Sequence, residues 1–365
     1  MYYTRFDTQF CEIILVGDEQ GLTHLHLNTG EGKRQLEISH EWNLNHSFFT
    51  STIKQINDYF KGERLTFDIA LNPKGTSYQR QVWKKLCEIP YGEQYTYKQL
   101  AINVGNEKAS RAVGMANSKN PLPIIVPCHR VVGTNGKLTG FAHGLDIKKR
   151  LINLELFMSI FHTLLKYYGK QSWWPADTDY EMMVGAVLTQ NTTWSNVVRA
   201  LDNFNNRLSP ELIRDITVEE LASIIHPSGY YNQKAIKLKA LNDWYERYEF
   251  DIEKIKEIDG NSLREELLEI KGIGRETADC ILTYALKKPS FVIDTYTKRL
   301  FHRMGIDIPN TYDELRLLVE SSIPKDLYIY NELHALIVKH AKVFCLKTPK
   351  CEGCPLYSLC KRQKD

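Results

Sequence analysis

The sequence predicts a multi-domain α+β chain, and three observations carry that prediction. A length of 365 residues suggests two domains. β-prone runs are confined to the first part of the chain, while helical spacing of apolar residues dominates the rest. Four of the eight cysteines, Cys345, Cys351, Cys354 and Cys360, lie close together near the end, which in an intracellular chain reads as metal binding, not disulfides. With 43% hydrophobic and 25% charged residues the composition is globular and excludes disorder, collagen and coiled coil. No apolar run approaches the ~20 residues needed to span a bilayer. The start, MYYTRFDTQF, lacks the apolar stretch of a secretory signal, so a cytoplasmic protein without membrane contact is expected. The net charge of +3, from 47 basic and 44 acidic residues, is too even to identify a partner. Locally, Lys339 to Asp365 carries seven basic and two acidic residues, which a phosphate-facing loop and a solvated tail explain equally well.

Taken in order, Cys11 to Val16 and Leu22 to Leu27 read as strands around a hairpin-like Gly-Asp-Glu-Gln-Gly. Ile53, Ile56, Tyr59 and Phe60 have helical spacing before Gly62 stops the run, completing a small α/β unit over residues 1–70. From Ser77 helical patterns follow, broken by Ile-Pro-Tyr-Gly at 89–92 and by a β-prone stretch from Pro121 to Val132. Lys148 to Tyr168 reads as one long helix or two abutting ones, with no Gly/Pro/Ser linker to mark a boundary. Beyond Gly169 the pattern is helical up to the cysteine cluster.

Two stretches carry chemistry. Residues 121–132, PLPIIVPCHRVV, deliver Cys128 beside His129, a nucleophile with a neighbouring base, since the thiolate is the attacking form. Taken alone, a buried structural cysteine reads the pair as well. With Gly75-Thr76-Ser77-Tyr78-Gln79, Val82-Trp83, IPYGEQYTYKQLA at 89–101, RAVGMA at 111–116 and Glu155, the region resembles the O6-alkylguanine-DNA alkyltransferases. The resemblance implies a ribonuclease-H-like α/β subdomain over 1–70 and a helical subdomain with a helix-turn-helix over 71–156. It implies Cys128 as the alkyl acceptor, His129 as its base through a water, and Glu155 orienting the histidine. Tyr97 would assist departure of the purine, Asn120 would brace the active-site turn, and the Val131 carbonyl would receive the guanine amine. Arg111 would enter the base stack as the nucleotide leaves it. Phe141 stands where a tyrosine is common, and His143 where a small or aromatic residue is usual. His24, His26 and Cys11 alternate like a solvated strand face, and no zinc site is read there.

In the second stretch, LEIKGIGRETADCILTYAL at 268–286, Gly272 and Gly274 permit a tight turn whose amides can meet phosphate. FVIDTYTKRL follows, with Asp294 after an apolar run. Together with VGAVLTQNTTW at 184–194 and PSGYYNQKA at 227–235, this region resembles the helix-hairpin-helix glycosylases of the endonuclease III superfamily over about 157–365. That resemblance implies an all-α domain with Asp294 as the catalytic carboxylate, stabilising oxocarbenium character or activating water. Gln190 and Tyr230 would fill the gap left by a flipped nucleotide. Trp173, Trp174 and Trp194 fall where the 3-methyladenine branch surrounds its base with aromatics, although core packing accounts for Trp173 equally well. The spacing Cys345-x5-Cys351-x2-Cys354-x5-Cys360 resembles the 4Fe-4S loop of the superfamily with one residue fewer in its first gap, and structural zinc is the alternative.

The expected protein is a fusion that repairs double-stranded DNA containing alkylated bases, with no obligate protein partner evident. It would transfer alkyl groups from O6 of guanine to Cys128 and excise damaged bases with Asp294. A glycosylase aimed at oxidised pyrimidines or mismatches, and an alkylation-responsive regulator, are the alternatives.

Overall fold

The computed structural model describes residues 1–32, 34–134 and 136–361; the last four residues of the domain expected to run to 365 lie outside the described residues. The chain divides into two compact units, Met1–His162 with Ser321–Pro324, and Thr163–Glu320 with Lys325–Asp365.

The first unit begins with strands β1 (Tyr2–Asp7), β2 (Glu12–Asp18), β3 (Gly21–Asn28) and β4 (Asn43–Leu44) in the sheet order β3-β2-β1-β4. β1, β2 and β3 pair antiparallel and β4 lies parallel to β1. The first of these strands was not read from the sequence, because YYTRFD mixes charged and aromatic residues without an apolar alternation. A bulge at Val16/Gly17 leads into the expected hairpin. Helix α1 (Thr50–Phe60) buries Ile53, Ile56, Tyr59 and Phe60, the face its spacing marked.

The helical part follows with α2 (Ser77–Leu86), a short β5 (Tyr95–Thr96), α3 (Tyr97–Asn103), α4 (Ser110–Ser118), β6 (Val131–Val132) and α5 (Leu145–Tyr168). Thr76 and Thr96 each close a capping box with the glutamine three residues on, a device whose loss costs ~1 kcal/mol per helix. The Thr96 box makes Tyr97 the first residue of α3. The β-prone stretch from Pro121 gives a strand only at Val131–Val132, which pairs in parallel with β5. Pro121, Pro123 and Pro127 have no N–H to give to a ladder, so the run before Cys128 is buried irregular chain.

The second unit is helical. It comprises α6 (Asp179–Leu188), α7 (Trp194–Asp202), α8 (Pro210–Asp215), α9 (Val218–Ile224), α10 (Tyr231–Glu246), α11 (Ile252–Lys256), α12 (Gly260–Glu269), α13 (Arg275–Cys280), α14 (Thr295–Arg303), α15 (Tyr312–Glu320) and α16 (Leu327–Val343). A π-helical turn, Ile281–Ala285, continues α13. Its core brings Val184, Val187, Leu188, Leu238, Leu241, Ile281 and Leu282 into one cluster. No helix of the described residues is long and apolar enough to cross a membrane.

Candidate functional site

In the first unit the proline-rich run delivers Cys128 to a short 3-10 turn, Cys128–Arg130, whose three side chains are all buried. Asn120 fixes the turn: its Nδ2 donates to the Val126 carbonyl at 2.8 Å and its Oδ1 accepts the Leu122 amide at 3.0 Å. Arg34, from the loop after β3, donates to the carbonyls of Asn120 and Ser118.

Behind the cysteine, Glu155 collects five donors. His129 Nε2 lies 2.9 Å from Oε1, the Tyr59 hydroxyl donates to the same oxygen at 2.8 Å, and Arg130 grips both oxygens at 2.8 and 2.9 Å. The Gly92 amide completes the set at 3.2 Å. Burial alone would raise the Glu155 pKa, but His129 and Arg130 hold it down to about 2. The carboxylate is therefore ionised, so Nε2 carries the proton it donates, and Nδ1 is left with a lone pair and no partner among the described residues. Burial lowers the His129 pKa despite Glu155, keeping the ring neutral. Burial likewise pushes the Cys128 thiol up, against the pull of Asn120, Lys148 and Arg34. Burial thus disfavours the charged forms of both His129 and Cys128.

Lys148, fully buried on α5, donates to the carbonyls of Val131 at 2.6 Å and Thr139 at 2.8 Å. The Val131 carbonyl is thus already engaged by a cation, with one lone pair remaining. Burial lowers the Lys148 pKa to about 8, with the Cys128 charge opposing the shift. Tyr97 is near enough to Cys128, Asn117 and Thr139 for all three to act on its hydroxyl, and burial raises its pKa. A small pocket opens on Cys128 between Asn120, Pro123, Phe141, Ala142 and His143. His143 is buried against His26, ring centroids 5.0 Å apart, and burial lowers its pKa to about 4, so it presents a neutral ring. Arg111 stands exposed on α4, and Met115 one turn on is 69% exposed on the same face.

In the second unit Phe291, Val292 and Ile293 are buried and carry Asp294 to the N-cap of α14, where its side chain accepts the Thr297 amide at 2.6 Å. His334 of α16 brings Nε2 to 3.5 Å from Asp294 Oδ2. Its Nδ1 lies 2.6 Å from the hydroxyl of Tyr284, on the π-helical turn. Burial raises the Tyr284 pKa well above its ordinary value, so the phenol keeps its proton and can donate to Nδ1. Burial alone would raise the Asp294 pKa, but His334 and the Thr297 amide hold it below the usual carboxylate range. Glu276 is pushed up, first by burial and then by the charge of Asp294.

Trp173, Trp174 and Trp194 form one cluster, with ring centroids 5.2 to 5.9 Å apart. Trp174 lies 5.7 Å from Tyr284, which joins the cluster to the His334–Asp294 pair. All three indoles also pack against the core, yet Trp173 Nε1 and Trp174 Nε1 are buried without an acceptor among the described residues. Gly185 on α6 makes room for Trp174, since a Cβ there would sit 3.3 Å from its Nε1.

Gly272 has φ 91°, and a Cβ would lie 2.4 Å from Lys237 Cγ, so glycine is required at the hairpin. Gly274 caps α13. Gln190 donates to the Gly272 carbonyl at 3.2 Å and to Thr277 Oγ1 at 3.0 Å, while Tyr230 is 71% exposed at φ 49°.

The four clustered cysteines line one open cavity of about 420 Å³ with Leu300 and Phe344. Arg303 Nη1 donates to Cys345 Sγ at 3.3 Å. Among the described residues no group of three or more His, Cys, Asp or Glu side chains is gathered closely enough to hold a metal ion.

The residues the sequence reading missed are Tyr59, Arg130, Lys148, Arg34, Tyr284 and His334. Arg130 was visible beside Cys128-His129; Tyr59 and Tyr284 were concealed by their apolar helical patterns.

These two sites define a DNA repair protein built from two enzyme families. Residues 1–73 match the ribonuclease-like domain of 6-O-methylguanine DNA methyltransferase and 77–157 its DNA binding domain, while 184–325 match the HhH-GPD superfamily base excision DNA repair protein. The chain is 52% identical over 155 residues to a methylated-DNA--protein-cysteine methyltransferase of Methanosarcina acetivorans, across 42% of this chain and 98% of that protein. It is 46% identical over 211 residues to a Methanocaldococcus jannaschii protein named "Putative DNA repair glycosylase MJ1434", across 56% of this chain and 96% of that protein. A solved endonuclease III–DNA complex shares the fold of the second part at 21% identity and TM-score 0.50, covering 57% of this chain and 95% of that one. The chain belongs to the O6-methylguanine DNA methyltransferase family through its first part and to the HhH-GPD glycosylase superfamily through its second.

Proposed function

We propose that this cytoplasmic protein repairs two kinds of alkylation damage. Residues 1–70 and 71–156 form the alkyltransferase, which moves the alkyl group of O6-alkylguanine irreversibly to Cys128. Residues 157–365 excise alkylated purines by hydrolysis of the glycosidic bond at Asp294. The observation that supports the first activity is the Glu155–His129 bond, which leaves Nδ1 of the residue after Cys128 available as a base acting through a water. Arg111 and Met115 lie on an exposed face suited to a DNA groove. For the second activity the support is the tryptophan cluster adjoining Tyr284, His334 and Asp294, since a cationic alkylated purine is attracted to aromatic faces. The Gly272–Gly274 hairpin would meet phosphate, and Gln190 and Tyr230 would occupy the vacated stack. A panel of single-lesion duplexes scored for alkyl transfer and base release tests both activities. Release of oxidised pyrimidines or mismatched bases, with alkylated purines untouched, would overturn the choice of substrate.

The glycosylase is read as monofunctional. Its bifunctional relatives carry a lysine amine at the position of Glu276, and a carboxylate cannot form an imine with the sugar. Borohydride treatment during base release should give no covalent protein–DNA adduct, and a strong adduct dependent on a lysine of the second unit would refute this.

Cys345, Cys351, Cys354 and Cys360 are proposed as the ligands of a 4Fe-4S cluster on the strength of their spacing, although among the described residues their side chains are not gathered as a metal site. Four thiolates complete such a cluster, and they share one cavity with a guanidinium donating to Cys345. A structural zinc ion held by the same four thiolates is the alternative. The cluster would stabilise the loop and the placement of its basic residues on DNA. Protein purified without oxygen should be brown, with about four iron and four sulfide per chain. Colourless protein with one zinc per chain would reverse the assignment.

A further inference from the structure

The first turns of α10 are where three separate loops of the second unit meet. Lys234 is 1% exposed, and its ammonium donates to the carbonyl of Leu188 at 2.8 Å and to that of Ser228 at 2.7 Å. Leu188 ends α6 two residues before Gln190, and Ser228 stands two residues before Tyr230. The Lys234 amide also donates to the Tyr230 carbonyl at 3.0 Å, as the first bond of the helix. One turn on, Lys237 donates to Gln190 Oε1 at 2.6 Å, and its stem occupies the space kept free by Gly272.

A carbonyl at a helix end has no intrahelical donor and is costly to bury unpaired. Lys234 supplies one cation to two such carbonyls on chain segments forty residues apart in sequence. The contacts described at Asp294 come from His334, Thr297 and Glu276, and the two Lys234 bonds go instead to loop carbonyls. What Lys234 controls is the separation between the Gln190 loop and the Tyr230 loop.

We infer that Lys234 is a positioning residue for DNA distortion, clamping these two loops at the spacing that lets Gln190 and Tyr230 enter the duplex together when a nucleotide leaves the stack. This rests on the reading of the second unit as a glycosylase with those two side chains as its gap fillers. Apolar replacement would leave two buried carbonyls unpaired and free the loops to drift. The penalty falls on opening a paired site, because a lesion with no partner base costs less to extrude.

The test uses the full chain and two duplexes containing 3-methyladenine, one with thymine opposite and one with an abasic site opposite, read as single-turnover base release. Lys234→Met should lose ~10- to 100-fold more rate on the thymine-paired duplex than on the other, the scale of a lost hydrogen bond to a charged group. Alkyl transfer by the same preparation should be unchanged. In a Tyr230→Ala background the same substitution should alter the ratio of the two rates little, since both changes act on one step. An equal loss on both duplexes, or no loss, overturns the inference. If Lys234→Met does not fold, Lys234→Gln, which keeps an N–H donor on a shorter stem, carries the comparison and should give a smaller loss in the same direction; a ratio unchanged from wild type overturns it. Wild-type protein that releases no base from either duplex would instead refute the glycosylase reading beneath it.

Discussion

Incubation with duplex DNA bearing O6-methylguanine is expected to leave one methyl group on the peptide containing Cys128, and Cys128→Ala is expected to abolish the transfer while base release is unchanged. The step is displacement at carbon. In the proposed step the thiol proton would pass through a water to His129, the sulfur would attack the methyl carbon, and the carbon–O6 bond would break as guanine takes the electrons and, with Tyr97 assisting, a proton. Because burial pushes the Cys128 thiol up, it does not rest as a thiolate, and the reaction depends on the base. Because burial lowers the His129 pKa, the ring stays neutral to more acid pH than an ordinary histidine. Single-turnover transfer should therefore persist through mildly acid pH and decline only below the ordinary imidazole range. The residues lining the pocket include no second thiol to relieve the thioether, so each chain should react once. Mass spectrometry of the peptide reads the outcome directly; repeated turnover, or transfer by the alanine variant, would refute it.

Much of this site was legible because its chemistry is concentrated in short segments. Cys128 and His129 are adjacent, and the glycines and prolines around them announce turns that local sequence dictates. The supporting shell was not legible, because it depends on tertiary approach. Tyr59 has the spacing of a core helix residue, and nothing local reveals that its hydroxyl reaches Glu155, ninety-six positions away. Lys148 looks like a charged residue at the start of a helix, yet it is fully buried against the Val131 carbonyl. The fold divides along the same line. The spacing of Ile53, Ile56 and Tyr59 marked α1, whereas the β propensity of Ile124, Ile125 and Val126 misled, since three prolines and the Asn120 hydrogen bonds override it. In the second unit Asp294 stood out after its apolar run, but His334 sits amid the buried residues of α16, and only the fold brings it to the aspartate.

Asp294→Asn is expected to reduce base release on the order of 100- to 10,000-fold while DNA binding and alkyl transfer are retained. Asparagine is itself a good N-cap and its carbonyl oxygen can accept the Thr297 amide, so the cap of α14 survives. What disappears is the negative charge on which the proposed role of Asp294 rests, stabilising a cationic sugar or activating water. The pH dependence separates this from a packing defect. His334 and the Thr297 amide hold the Asp294 pKa below the usual carboxylate range, so in the wild-type chain the carboxylate stays ionised through mildly acid pH and base release falls only beneath that range. His334→Leu removes the first of those groups from beside a carboxylate that burial already disfavours, so the pKa rises and the acid limb moves to higher pH. A variant that merely loosened the fold would lower the rate at every pH and leave the limb in place. Base release by Asp294→Asn at the wild-type rate, measured on 3-methyladenine duplex under single-turnover conditions, would show that another group carries the charge; Glu276, which interacts with Asp294, is itself pushed toward its neutral form by burial and by that aspartate.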